Sequence, residues 1–127
     1  MKKLIVVLFA STLALASCGS SSATNLGASD FQAKTQEAGV VVLDVRTAGE
    51  FAMGHIENAI NINVEGMTFN SDIAQLDKTK TYAVYCHSGR RSGIAVDAMA
   101  EAGFTSLFNL EGGVEAWQSA GLSMVTQ

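Results

Sequence analysis

Apolar residues fall along this chain in short runs, each followed by a small or polar break. Val40-Val41-Val42-Leu43 is a continuous β-branched run, the pattern of a strand covered on both faces. Ala59-Ile60-Asn61-Ile62, Thr81 to Tyr85 and Ser106 to Leu110 are further strand candidates. Between them lie stretches with helical signals. Ser29-Asp30-Phe31-Gln32 fits a capping box with Ser29 as N-cap, which predicts a short helix from about Asp30 to Ala38, stopped at Gly39. Thr47-Ala48-Gly49-Glu50 repeats the signal and predicts a helix ending near Gly54. Ser92 to Ala102 carries one apolar stripe (Ala95, Ala98, Met99, Ala102) and stops at Gly103. A last helix runs from about Val114 to Ala120, ended by Gly121. Residues 63–77 read as a helix or as irregular turns ending by Leu76.

Strands that alternate with helices argue for an α/β domain: a parallel sheet flanked by helices on both faces. Ligands bind such sheets at the carboxyl ends of the strands, so chemistry is expected in the loops 44–47, 86–91 and 111–113. The full chain has 127 residues, enough for one domain and not two.

The N-terminus departs from this pattern. Met1-Lys2-Lys3 is a short basic start, and Leu4 to Ala16 is an apolar run broken only by Ser11 and Thr12. That is the shape of a secretory signal, shorter than the roughly 20 apolar residues of a membrane span. Leu15-Ala16-Ser17-Cys18 resembles the lipobox of bacterial lipoproteins. The resemblance implies removal of residues 1–17 and lipidation of Cys18; an ordinary signal peptide with a chance cysteine is the alternative. Gly19 to Asn25 is small and polar, so residues 18–28 are expected to be a flexible tether and residues 29–127 the folded domain. The expected location is the bacterial cell envelope, with the domain lipid-anchored and facing the periplasm or other extracytoplasmic space.

The formal charge is −4, and loss of Lys2 and Lys3 with the leader would make it −6. An acidic domain lacks the basic face that nucleic acid requires. With Cys18 lipidated, Cys86 is the only thiol left, which leaves neither an internal disulfide nor a CxxC dithiol.

Two of the remaining cations, Arg90 and Arg91, follow that cysteine closely in Tyr85-Cys86-His87-Ser88-Gly89-Arg90-Arg91-Ser92. Cys86 stands at a strand end, Gly89 permits a positive φ, and the next helix brings its positive N-terminus. Amide donors, helix end and arginines all favour thiolate over thiol, so Cys86 is expected to be a nucleophile at neutral pH. The same cradle would hold a persulfide anion, while the arginines attract an anionic donor. A buried, inert cysteine is the alternative. His87 reads either as a donor to substrate or as a side chain filling space beside the loop.

Three motifs now form a set. Asp44-Val45-Arg46 through Glu50-Phe51, Gly54-His55-Ile56 and Asn58-Ala59 resembles the rhodanese stretch D-V-R-x-x-x-E-[FY]-x-x-G-H-I-x-G-A. Cys86 to Ser92 resembles the rhodanese active-site loop, and Leu110-Glu111-Gly112-Gly113-Val114-Glu115-Ala116-Trp117 its L-x-G-G-x-x-x-W close. The resemblance implies a five-stranded parallel sheet and a ping-pong sulfurtransferase. In that reaction Cys86 takes a sulfane sulfur from a donor such as thiosulfate and passes it to a thiol, cyanide or a protein acceptor. It also implies that His87, Ser88, Gly89, Arg90, Arg91 and Ser92 form the substrate loop, and that Asp44 and Arg46 brace it rather than forming a solvated ion pair. No cofactor and no metal is implied, since no ligand cluster accompanies His55. Glu50, His55 and Trp117 read as structural. Asn58 replaces the usual glycine and is expected to keep the left-handed turn; His87 replaces a frequent arginine.

Two other functions compete. Phosphatases and arsenate reductases of related fold use a longer loop, C-x5-R, whereas here Arg91 falls at C-x4-R and Ser92 follows. A non-catalytic binding module or persulfide carrier would retain the cysteine without turnover.

Overall fold

The computed structural model describes residues 23–127. The leader, Cys18 and the tether up to residue 22 therefore lie outside the described residues. Five strands, β1 (Ala23–Leu26), β2 (Val40–Asp44), β3 (Ile60–Asn61), β4 (Thr81–Tyr85) and β5 (Leu107–Leu110), form one sheet in the order β1-β5-β4-β2-β3. All four pairings are parallel. The helices are α1 (Ala28–Thr35), α2 (Ala48–Met53), α3 (Phe69–Ala74), α4 (Arg90–Glu101) and α5 (Gly113–Ser119).

Alternation along the central strands divides the core. Leu43, Tyr82, Val84 and Cys86 face a cluster completed by Phe69 and Ile73 of α3 and Ala95, Val96 and Met99 of α4. Val42, Ala83 and Tyr85 face the other side, against Phe31 of α1 and Val114 and Trp117 of α5. Both faces of β2 and β4 are thus covered, which explains why their sequences are continuous apolar runs. Trp117 is buried, crossing Phe31 edge-on at 6.4 Å between ring centres.

The boundaries differ from expectation in three places. Ala23 to Leu26, assigned to the tether, is an edge strand paired with β5 from Ala23–Leu107 to Leu26–Leu110. Asn109 Nδ2 donates to Asn25 Oδ1 across this pair at 3.0 Å. Only its ends, Ala23 and Leu26, are apolar and partly buried while Thr24 and Asn25 are exposed, so no apolar run marked it. Helix α1 starts at Ala28, with Gly27 rather than Ser29 at the N-cap and no side-chain cap bond, and it ends at Thr35. Helix α4 begins at Arg90, before Ser92, on a left-handed Gly89 (φ 102°). The ambiguous stretch contains α3. Thr47 and Glu50 make the expected capping box of α2, and Asn58 takes the expected left-handed turn at φ 65°.

Candidate active site

Cys86 leaves β4 at the carboxyl edge of the sheet and is fully buried. The backbone then curls through Ser88 and Gly89 into α4, and the Gly89 amide donates to Cys86 Sγ at 3.0 Å. Burial pushes the thiol pKa up, but the Ser92 hydroxyl and amide and the Gly89 and Ser88 amides outweigh it, so the pKa lies below the usual 9.0. The Ser92 hydroxyl also lies 3.2 Å from Gly89 O, and its single proton serves one acceptor at a time. Ser92 is buried beneath the loop. The sequence placed it in the substrate loop and at a helix start, but not its aim at the sulfur, which depends on α4 beginning two residues earlier.

The curl is held from outside by α5. Val114 N donates to Cys86 O at 2.9 Å and Glu115 N to His87 O at 3.1 Å. Because N–H and C=O of one peptide point opposite ways, fixing these carbonyls on α5 turns the following amides away from it. The approach is close: a Cβ on Gly113 would stand 2.5 Å from the His87 carbonyl carbon and 2.6 Å from Cys86 O, and one on Gly89 would stand 3.3 Å from Gly112 N. The Gly112-Gly113 pair is therefore part of the site's construction. Its sequence signal is the double glycine of the closing motif, but the partner it must clear is 26 residues away.

Arg91 is engaged rather than free. Its two terminal nitrogens pair with both carboxylate oxygens of Glu50 at 2.7 and 2.9 Å, and Nη1 lies 3.5 Å from Glu65. This ties α4 to α2 and reveals a role for Glu50 beyond its cap. The hydrogen bond from Arg91 holds the Glu50 carboxyl at about 2 instead of 4.5. That contribution to stability is full above 4.5 and is lost as pH falls through about 2. Arg90 is exposed and makes no ion pair among the described residues. His87 is half-exposed, with Nε2 3.3 Å from Glu115 Oε1.

Asp44 and Arg46 form a buried pair, not a solvated one. Arg46 Nε lies 3.1 Å from each Asp44 oxygen, Nη2 lies 2.7 Å from Oδ2, and Nη2 also donates to Gly54 O at 2.6 Å. Burial works against the Arg46 charge, but Asp44 outweighs it and raises the pKa. Asn61 Nδ2 caps the carbonyls of both residues, and Val45 N donates to Tyr85 O at 3.0 Å. The pair thus lies at the end of β2, next to the end of β4 from which Cys86 leaves. His55 is a hydrogen-bonded corner: it lies 2.9 Å from Phe51 O, stacks on Phe51 at 3.8 Å and bridges Val125.

This arrangement coincides with a known one, since residues 27–120 match the family model described as a rhodanese-like domain. The chain belongs to the rhodanese-like domain family. Among curated proteins, this rhodanese-like chain is 32% identical over 100 residues to the thiosulfate sulfurtransferase GlpE of Shewanella oneidensis, covering 79% of this chain and 97% of that protein. It is 31% identical over 86 residues to a sulfurtransferase of Allochromatium vinosum, covering 68% of this chain and 78% of the relative. Among solved structures, a rhodanese-related protein from Thermoplasma volcanium superposes with TM-score 0.67 at 30% identity, covering 82% of this chain and 99% of that one. The rhodanese-like fold, with its parallel sheet and flanking helices, is therefore that of the relatives named sulfurtransferases.

Proposed function

We propose that this rhodanese-like protein is an extracytoplasmic thiosulfate sulfurtransferase working through a Cys86 persulfide. The observation that carries the proposal is the buried Cys86 sulfur, which accepts from the Gly89 amide at 3.0 Å and whose pKa the Ser92, Gly89 and Ser88 donors draw below its ordinary value against the effect of burial. The thiolate form is the nucleophile. It attacks the sulfane sulfur of thiosulfate, the S–S bond breaks, and sulfite leaves with the bonding electrons. The outer sulfur of the resulting persulfide is then taken by a thiol or cyanide, which returns Cys86 to thiolate. Relatives named thiosulfate sulfurtransferases, at 32 to 37% identity, support this choice of donor. Loop length weighs against phosphate chemistry, because four residues between Cys86 and Arg91 make a small cradle. A thiosulfate:cyanide assay tests the reading: turnover to thiocyanate is expected, and its absence with every sulfane donor tried would favour the carrier or binding module.

Arg90 and Arg91 are assigned to the anionic donor, Arg90 as the exposed cation and Arg91 as the charge behind the loop. Arg91→Ala is expected to weaken thiosulfate use more than it harms folding, by releasing the end of the loop from Glu50 and removing the cation behind it. Steady-state kinetics check this, and unchanged kcat/KM rejects the role.

The extracytoplasmic placement rests on Met1-Lys2-Lys3, the apolar run and Leu15-Ala16-Ser17-Cys18. Mass spectrometry of the mature protein from a bacterial host is expected to find Cys18 as the first residue, carrying lipid. An unmodified Cys18, or a different mature start, contradicts the anchor.

A further inference from the structure

The start of β1 shortens the link between the domain and its proposed anchor. Ala23 is already paired with Leu107 in the sheet, so only residues 19–22 separate it from Cys18. A chain of that length, fully extended, reaches at most about 18 Å.

Where the link joins matters because the sheet has a direction. All its pairings are parallel, so the strands begin at one end of the domain and finish at the other. Ala23 lies at the amino end, whereas Cys86 follows the last residue of β4 at the carboxyl end. A lipidated Cys18 is therefore joined to the end remote from the sulfur. To bring the carboxyl end to a bilayer, the link would have to run back alongside the four residues of β1, which span about 13 Å. It would then have to clear the loops beyond, which uses its whole reach.

Charge is sorted along the same axis. The lysines among the described residues are Lys34, Lys78 and Lys80, and all three lie at the amino end. Lys34 is in the last turn of α1, which returns from the end of β1 to the start of β2. Lys78 and Lys80 are exposed in the segment entering β4, and a Cβ on Gly103, in the turn entering β5, would stand 3.7 Å from Lys78 Cδ. Glu37, 3.1 Å from Lys34, and Asp77 and Glu101 balance them. The carboxyl end has no such balance. Asp30 in the first turn of α1, Glu65 near Arg91, Glu111 after β5 and Glu115 near His87 are all exposed. Arg91 is already paired with Glu50, which leaves Arg90 as the exposed arginine there. An anionic lipid surface repels this end and not the lysine end.

We propose that the amino end of the sheet is the membrane-facing surface of this protein, its partner an anionic phospholipid bilayer, and that Cys86 faces the aqueous phase. The proposal rests on the lipid-anchor reading of Cys18. Its consequence is a substrate class: the sulfur donor and acceptor that reach Cys86 are water-soluble species, and a thiol held in the bilayer does not reach it.

The test uses the full chain, processed in a bacterial host, in the Cys86→Ser background. Thr105→Cys places one fluorophore at the amino end, in the turn entering β5. Met67→Cys places another at the carboxyl end, in the segment that sets Glu65 near Arg91. Both positions are exposed. Each labelled protein is reconstituted into vesicles of phosphatidylcholine and phosphatidylglycerol that carry a nitroxide on some headgroups. The Thr105 label is expected to lose most of its emission and the Met67 label to keep it. Added salt should narrow the contrast, because it screens the repulsion of the acidic end. Lipidated protein that floats with the vesicles but is quenched equally at both positions, or more at Met67, overturns the orientation alone. Protein without lipid on Cys18 contradicts the anchor, and the orientation with it. In the same vesicles, wild type loaded with a sulfane sulfur should be discharged by N-acetylcysteamine in the water and not by dodecanethiol in the bilayer. Equal discharge by the two thiols overturns the substrate class. The label measurements involve no sulfur chemistry, so they stand whether or not Cys86 turns over.

Discussion

Cys86→Ser is expected to fold like the wild type and to transfer no sulfur from thiosulfate to cyanide or to any thiol. Serine is close to cysteine in size, and the site is fully buried inside a packed cluster, so the fold should change little. The chemistry does not survive. The donors that draw the thiol below 9.0 act on a group that ionises within reach of neutrality. A hydroxyl is far less acidic, and the same donors leave it neutral. It also forms no persulfide, so the first half-reaction is lost with no slower route through the same intermediate. Thermal unfolding should place the variant close to wild type while the thiosulfate:cyanide assay reads background. Residual turnover above background would remove Cys86 from the mechanism.

The largest effect on stability is expected from Arg46→Ala. Asp44 is 0% and Arg46 4% exposed, so truncating the arginine strands a carboxylate in the interior and leaves Gly54 O without its donor. Breaking a buried pair from one side costs about 3–5 kcal/mol, because the remaining charge is uncompensated. Urea denaturation measures the difference. Asp44→Ala in the Arg46→Ala background should recover part of the loss, since it removes the stranded charge. A loss below about 1 kcal/mol would mean the pair behaves as a surface ion pair. The sequence resemblance implies bracing for these two residues; the structure shows them as a buried pair bonded to each other and to Gly54 O.

How much of this was legible in the sequence follows from where each signal is stored. β2 and β4 were readable because their two covered faces write a continuous apolar run. The capping box at Thr47 was readable because both its bonds are local. Edge strand β1 was not, since a half-exposed strand of Ala23-Thr24-Asn25-Leu26 is defined by hydrogen bonds to β5 rather than by its own side chains. Cys86 and its loop were legible as a motif, yet three parts of the site were visible only in space. Ser92 points under the sulfur, Glu50 reaches Arg91 across 41 positions of sequence, and Gly113 clears the carbonyl of His87. The last two depend on long-range approaches and the first on where α4 begins, none of which residue type alone encodes.

The central claim, that Cys86 carries the transferred sulfur, is tested most directly by intact-protein mass spectrometry after thiosulfate treatment. The wild type should gain about 32 Da, the mass of one sulfur held covalently. The gain should map to Cys86, disappear on addition of cyanide or a thiol, and be absent from Cys86→Ser. No added mass on wild type from any sulfane donor, or the same addition on Cys86→Ser, would contradict the account.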